Sequence, residues 1–173
     1  MIDYKSLKII AYDFDDTLFA HSNHKTETIE EEIDYLKRCL LYKNDASDVF
    51  RNCTKNMYLQ NFMNKAYRDN IIQGLISGTE AYVCSKAKID YVKSIYGHYL
   101  ENWCMCSQEK KTIMLKALAE SYNCNASNIL IIDDNPLVIT MAADAGFQFH
   151  KPSFVLTRGE QSAKDPAVWP CMS

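Results

Sequence analysis

The stretch Leu7-Lys8-Ile9-Ile10-Ala11-Tyr12-Asp13-Phe14-Asp15-Asp16-Thr17 decides how the chain is read, because a short run of β-forming apolar residues breaks off abruptly into acids. A run that is apolar on both faces suits a strand buried in a parallel sheet. Ile129-Leu130-Ile131-Ile132-Asp133-Asp134 repeats the form late in the chain, and Ala81-Tyr82-Val83-Cys84, stopping at Ser85, reads as a further strand between them. Helical patterns fill the intervals. Ile29, Ile33, Leu36 and Leu40 recur at helical spacing behind Thr28 and Glu31, which are spaced as a capping box. A second helical tract is expected over 47–77, with Val49, Phe50, Cys53, Met57, Phe62, Met63, Tyr67, Ile71 and Leu75 as its apolar stripe, a break near Asn64, and Gly78 as its C-cap.

Later helices are expected over 88–96, 109–122 and 136–145, the last opened by Pro136 and closed by Gly146. Phe147-Gln148-Phe149 and Phe154-Val155-Leu156 are weaker strand candidates. Strands alternating with helices imply an α/β fold built on a parallel sheet. The expected organisation is a core of residues 1–21 and 77–156, a small helical insertion at 22–76 after the first strand, and a polar tail at 157–173.

Composition agrees with a single folded domain: 173 residues, 47% hydrophobic, with only five glycines and four prolines. Lys+Arg number 19 against Asp+Glu 22, a net charge of −3, so no general attraction to nucleic acid is built in. No run approaches the ~18 apolar residues of a membrane span, and the N-terminus has no apolar signal core. Seven cysteines, an odd number with no CxxC pair, argue against a disulfide framework and a zinc ribbon. Reduced thiols and a cytoplasmic location are the expectation. Cys104 and Cys106 would share one face of a strand, where they read as packing residues.

Ligands of open parallel sheets bind beyond the carboxyl ends of the strands. Three such ends carry polar groups here: Asp13 to Thr17, Ser85-Lys86, and Asp133-Asp134. Carboxylates gathered in one crevice repel one another unless a hard cation neutralises them, and oxygen ligands of this kind suit Mg2+ beside a phosphate group. Lys111 is an independent sign. It falls in line with Leu115, Leu118 and Tyr122 on a buried stripe, in the first turn of a helix, where the helix dipole disfavours a cation. Its ammonium needs an anionic partner there. One residue of register would exchange it for Lys110.

These residues resemble the four motifs of the haloacid dehalogenase (HAD) superfamily of phosphohydrolases: Asp13-Phe14-Asp15-Asp16-Thr17-Leu18 the first, Ser85 the second, Lys111 the third, and Ile129 to Asp134 the fourth. The resemblance spans about residues 7–150 and implies a Rossmann-like core. It implies Asp13 as a nucleophile forming an aspartyl-phosphate and Asp15 as the acid and base. Ser85, with Lys86 beside it and Thr17 in the first loop, would bind the phosphate, and Lys111 would neutralise nucleophile and phosphate. Asp134 would hold Mg2+ with the backbone carbonyl of Asp15, in a metal set of Asp13, Asp15, Asp133 and Asp134.

The sequence departs from the pattern at Val138, where such proteins often carry another acid; Asp133 could compensate. His21 and His24 read as a solvated turn, and Phe50, Tyr58, Phe62 and Tyr67 as core. The function expected is Mg2+-dependent hydrolysis of a small phosphate ester or nucleotide, without membrane or nucleic-acid partners and with no set oligomeric state. The alternatives are a phosphate-binding or signalling module and a catalytically silent scaffold. A receiver module would place its acid pair ahead of the phosphoacceptor strand, the reverse of the order here.

Overall fold

The structure is a computed structural model that describes residues 2–20, 53–78 and 82–152. Its centre is a parallel sheet of β1 (Ile9–Tyr12), β4 (Ile72–Gly78), β5 (Asn102–Cys106), β6 (Ile129–Ile132) and β7 (Gln148–His150), in the order β5-β4-β1-β6-β7. β1 lies at the centre, and β1 and β6 are buried at every position, as their apolar runs require. Ile9 pairs with Ile72 on one side and Ile129 on the other. The carboxyl ends of β1, β4 and β6 therefore emerge together.

Helices cover both faces of the sheet. Helix α1 (Met57–Arg68) and helix α2 (Tyr82–Tyr96) pack Leu59, Phe62, Met63, Val92 and Tyr96 on the face that presents Ile10, Tyr12 and Leu75. Helix α3 (Lys111–Ser121) and helix α4 (Pro136–Asp144) pack Leu115, Val138 and Ala142 on the face that presents Ile9, Ala11, Ile76 and Ile131. Side chains alternate across a strand, so each strand feeds both clusters. Gly146 follows α4 at φ +80°, a left-handed backbone that a side chain would strain. No described helix is long and apolar enough to cross a membrane.

A short antiparallel ribbon, β2 (Phe19–Ala20) with β3 (Thr54–Lys55), flanks the loop after β1. Asn56 ties that ribbon to the loop and to α1: its N–H donates to Leu18 O at 2.9 Å, its Nδ2 to Thr17 O at 3.2 Å, and its Oδ1 caps α1 by accepting from Leu59 N–H.

Several expectations need correction. Residues 72–78 form the sheet strand β4, where a helix was expected through residue 77, and Gly78 ends a strand instead of capping a helix. Of the strand expected over Ala81 to Cys84, Tyr82 to Cys84 lie in helix α2, and Ala81 is outside the described residues. Gln73, a polar residue inside this strand, is fully buried, accepting from Tyr12 OH at 2.8 Å and donating to Met63 O at 3.0 Å. A polar side chain so satisfied costs a buried strand little.

Helix α1 runs through Asn64 without a break. Phe62 packs in the core, whereas Tyr58 and Tyr67 are exposed. Residues 72–76, grouped by sequence with the helical insertion, belong to the sheet. The helix expected over 29–40, His21, His24, Phe50, the Phe154–Leu156 candidate and the tail lie outside the described residues.

Candidate active site

Asp13 follows β1 directly, its N–H donating to Ile132 O at 2.9 Å as the ladder between β1 and β6 ends. The chain then turns sharply. Asp16 takes a left-handed φ of +50°, its N–H donates to Phe19 O, and the N–H of Thr17 donates to Phe14 O. Phe14 and Leu18 are buried beneath the turn, leaving the acids at the sheet's carboxyl edge. Thr17 is buried in the same turn, and its Oγ1 has no hydrogen-bond partner among the described residues.

Lys111 reaches this edge from α3. Its side chain is fully buried, with Nζ 3.0 Å from Asp13 Oδ1 and 2.6 Å from Asp133 Oδ2. Burial works against its charge, but Asp13 and Asp133 outweigh it and hold the ammonium above its usual range. Lys110 is exposed and precedes the helix, so Lys111 is the lysine brought to the acids. Asp133 is held twice, because its Oδ1 also accepts from Asn135 N–H at 2.9 Å. Burial and the Asp13 charge nevertheless push Asp133 up to about 6 against the pull of Lys111. Burial, with Asp13, Asp133 and Asp16 nearby, pushes the half-buried Asp134 up to about 7.

Ligand oxygens of Asp13, Asp133 and Asp134 all lie within 4.8 Å of one another. Opposite oxygens around an octahedral Mg2+ stand roughly 4.2 Å apart, so a small inward movement would enclose one ion. The excess of acid over lysine, visible in the raised Asp133 and Asp134, is the electrostatic condition such an ion relieves. Val138, where a further acid was absent from the sequence pattern, is fully buried among Ile131, Leu115 and Ala142.

The second strand end holds a different serine from the one expected. Ser85 lies inside α2, while Ser77, fully buried, stands at the carboxyl end of β4 beside β1. Lys86 is exposed and paired with Asp90 one helical turn on. The lysine of α2 that reaches the edge is Lys88: its Nζ is 2.5 Å from Asp15 Oδ2, donates to Gly78 O at 3.0 Å and to Ser77 Oγ at 3.5 Å, and sits over the Phe14 ring. Lys88 was missed, and so was Ser77. The signal for Ser77 was present in Leu75-Ile76-Ser77-Gly78, an apolar run ending in a polar residue like the runs of β1 and β6. Two lysines thus grip the Asp13–Asp15 loop from opposite faces of the sheet.

No protein-family model matches the chain, and no curated protein matches it significantly. Solved structures do share its fold. A HAD-superfamily hydrolase from Geobacter sulfurreducens superposes with a TM-score of 0.60 at 13% identity, over 83% of this chain and 88% of that one. A HAD family enzyme from Bacteroides thetaiotaomicron, in complex with magnesium and inorganic phosphate, gives 0.55 at 14% identity, over 91% and 98%. A phospho-aspartyl intermediate analogue of phosphoserine phosphatase gives 0.57 at 14% identity, over 82% and 85%. The chain has the Rossmann-like fold of HAD enzymes, a sheet of five parallel strands flanked by helices.

Proposed function

We propose that the protein is a HAD-type, magnesium-dependent phosphohydrolase that turns over a small phosphorylated substrate through an aspartyl-phosphate on Asp13. The observation that carries this reading is the buried triad of Asp13, Lys111 and Asp133, with Asp134 beside it, at the carboxyl edge of a HAD-type sheet. Three-way burial of this kind is expensive to maintain for stability alone and is characteristic of a site built to receive charge.

In this reading Asp13, as a carboxylate oriented by Lys111, attacks phosphorus in line with the leaving oxygen. Asp15 gives a proton to that oxygen, then takes one from the water that opens the aspartyl-phosphate and restores Asp13. Lys111 balances the charge gathering on Asp13 and the phosphoryl oxygens. Ser77, in place of Ser85, offers a hydroxyl to a phosphate oxygen, and Lys88 holds Asp15 against the turn. Asp13 and Asp134 would hold Mg2+, with Asp133 as the neighbouring acid that fixes Lys111. Bound there, the ion supplies charge neutralisation to the transferring phosphoryl group.

The test is release of inorganic phosphate from an aryl phosphate by purified protein, with Mg2+ or with EDTA, for wild type and Asp13→Asn. The expected result is Mg2+-dependent release that Asp13→Asn abolishes. Release by Asp13→Asn equal to wild type, or release indifferent to EDTA, would refute the reading.

A further inference from the structure

The edge strand β5 brings two thiols to the rim of the site. Cys104 and Cys106 are both free and half-buried, and alternate positions of a strand place them on one face, against the cluster that contains Ile76 and Leu115. Cys104 pairs with Ile76, and Cys106 with Gly78, whose carbonyl accepts from Lys88. Cys106 also lies close enough to Lys111 and Asp13 to feel both charges. After Cys106 a single turn, Ser107 to Lys110, leads straight into Lys111. Gln108 in that turn leans on Gly78: a Cβ added there would come within 2.8 Å of its Nε2. Cys106 is thus joined to Lys111 by a short turn that packs on Gly78.

We propose that Cys104 and Cys106 are a dithiol modified by hydroperoxides, whose closure to a disulfide reversibly switches the neighbouring site off. The effect on activity rests on the phosphohydrolase reading; the oxidation itself does not. Hydrogen bonding between the two thiols lowers Cys104 toward the thiolate, the form that attacks peroxide. The sulfur of Cys104 attacks one peroxide oxygen, the O–O bond breaks, and hydroxide leaves, taking a proton to become water. Cys104 is then a sulfenic acid. The sulfur of Cys106 attacks that sulfur, the S–S bond forms, and the sulfenic hydroxyl departs with the Cys106 proton as a second water. Two thiols are oxidised and one hydrogen peroxide is reduced to two waters.

Same-face Cα atoms two residues apart on a strand stand roughly 6.6 Å apart, at the far end of the span a disulfide bridges. Closure therefore bends the end of β5, and the resulting bond is readily reduced. The bend shifts the Ser107–Lys110 turn and with it the lysine on Asp13.

Trypsin supplies a direct test, since cleavage after Lys93 and Lys110 yields a peptide, 94–110, that holds Cys104 and Cys106 and no other cysteine. The full chain is treated with hydrogen peroxide, remaining thiols are alkylated, and the peptide is weighed. The expected result is a peptide two hydrogens lighter and unalkylated, with phosphate release falling roughly tenfold and returning under dithiothreitol. Cys106→Ser, which cannot close, should keep its rate under the same dose. The proposal is overturned if both thiols of 94–110 remain alkylatable while other cysteines oxidise, or if the disulfide forms and the rate is unchanged. If untreated protein releases no phosphate from any ester, the phosphohydrolase reading fails. Melting temperature then replaces rate, and identical melts for the reduced and oxidised chain overturn the switch.

Discussion

Asp134→Asn should make the metal-free protein more stable and the magnesium-loaded protein relatively less so. In the folded chain Asp134 is pushed from 3.8 to about 7 by burial and by Asp13, Asp133 and Asp16. A rise of about 3 pH units corresponds to roughly 4 kcal/mol of destabilisation wherever the group is charged in both states. Water still reaches Asp134, and screening reduces this to ~2 kcal/mol. Because the folded value lies above the unfolded one, the penalty is complete above about pH 7. It shrinks as pH falls through 7 toward 3.8, where the folded state takes up a proton that the unfolded state lacks. Asparagine keeps the shape and removes the charge.

In EDTA at pH 8 the variant should therefore melt about 4–8 °C above wild type, the gain fading by pH 5. In Mg2+ the order should reverse, since an ion at 100 times its dissociation constant adds about 2.7 kcal/mol to a protein that binds it. Thermal melts of both proteins at three pH values, with and without Mg2+, decide the matter. A variant no more stable than wild type in EDTA, or a gain independent of pH, would refute the electrostatic account of this site.

Ser77→Ala should lower kcat/KM roughly 10- to 100-fold while Ser85→Ala stays within about twofold, measured on one aryl phosphate. Lys88→Met should lower kcat about tenfold with Lys88→Arg restoring part of it, because Asp15 loses the buried cation that holds it; steady-state kinetics with a folding check by circular dichroism read this out. Val138→Asp should not improve Mg2+ affinity. It puts a carboxylate into an apolar cluster and should cost ~3 kcal/mol or more, seen as a clear drop in urea midpoint.

The parts of the fold that were legible in the sequence are those where one physical demand dominates. Ile129 to Ile132 and Ile9 to Tyr12 are apolar on both faces because helices cover both faces, and that leaves a run no amphipathic pattern can imitate. Lys111 was legible because a cation on an apolar stripe has few explanations. β4 was not, since Ile71 and Leu75 fit a helical spacing and Gln73 interrupts the unbroken apolar run that marks β1 and β6. The strand was expected instead at Ala81 to Cys84, of which Tyr82 to Cys84 begin α2, and the strand-end serine was expected there with it. Lys88 owes its place to α2 starting earlier than periodicity suggested, which brings its ammonium back over the turn. No local pattern encodes that reach.

The amide of Gln73 has a consequence for how reliably the chain assembles. Strand β4 carries two glycines among its seven residues, and glycine-rich strands set their register only weakly. A slipped pairing would carry the Gln73 amide away from Tyr12 and Met63 and strand it in hydrocarbon, at a cost of roughly 1–3 kcal/mol or more. The correct alignment is the one in which both ends of that amide find partners, so the residue acts as an assembly gauge. Ser77 is four places further along the same strand, on the same side. The gauge that rejects a mispaired sheet is thereby also the device that delivers a hydroxyl to within reach of Lys88, and errors in folding and errors in the site are screened by one side chain.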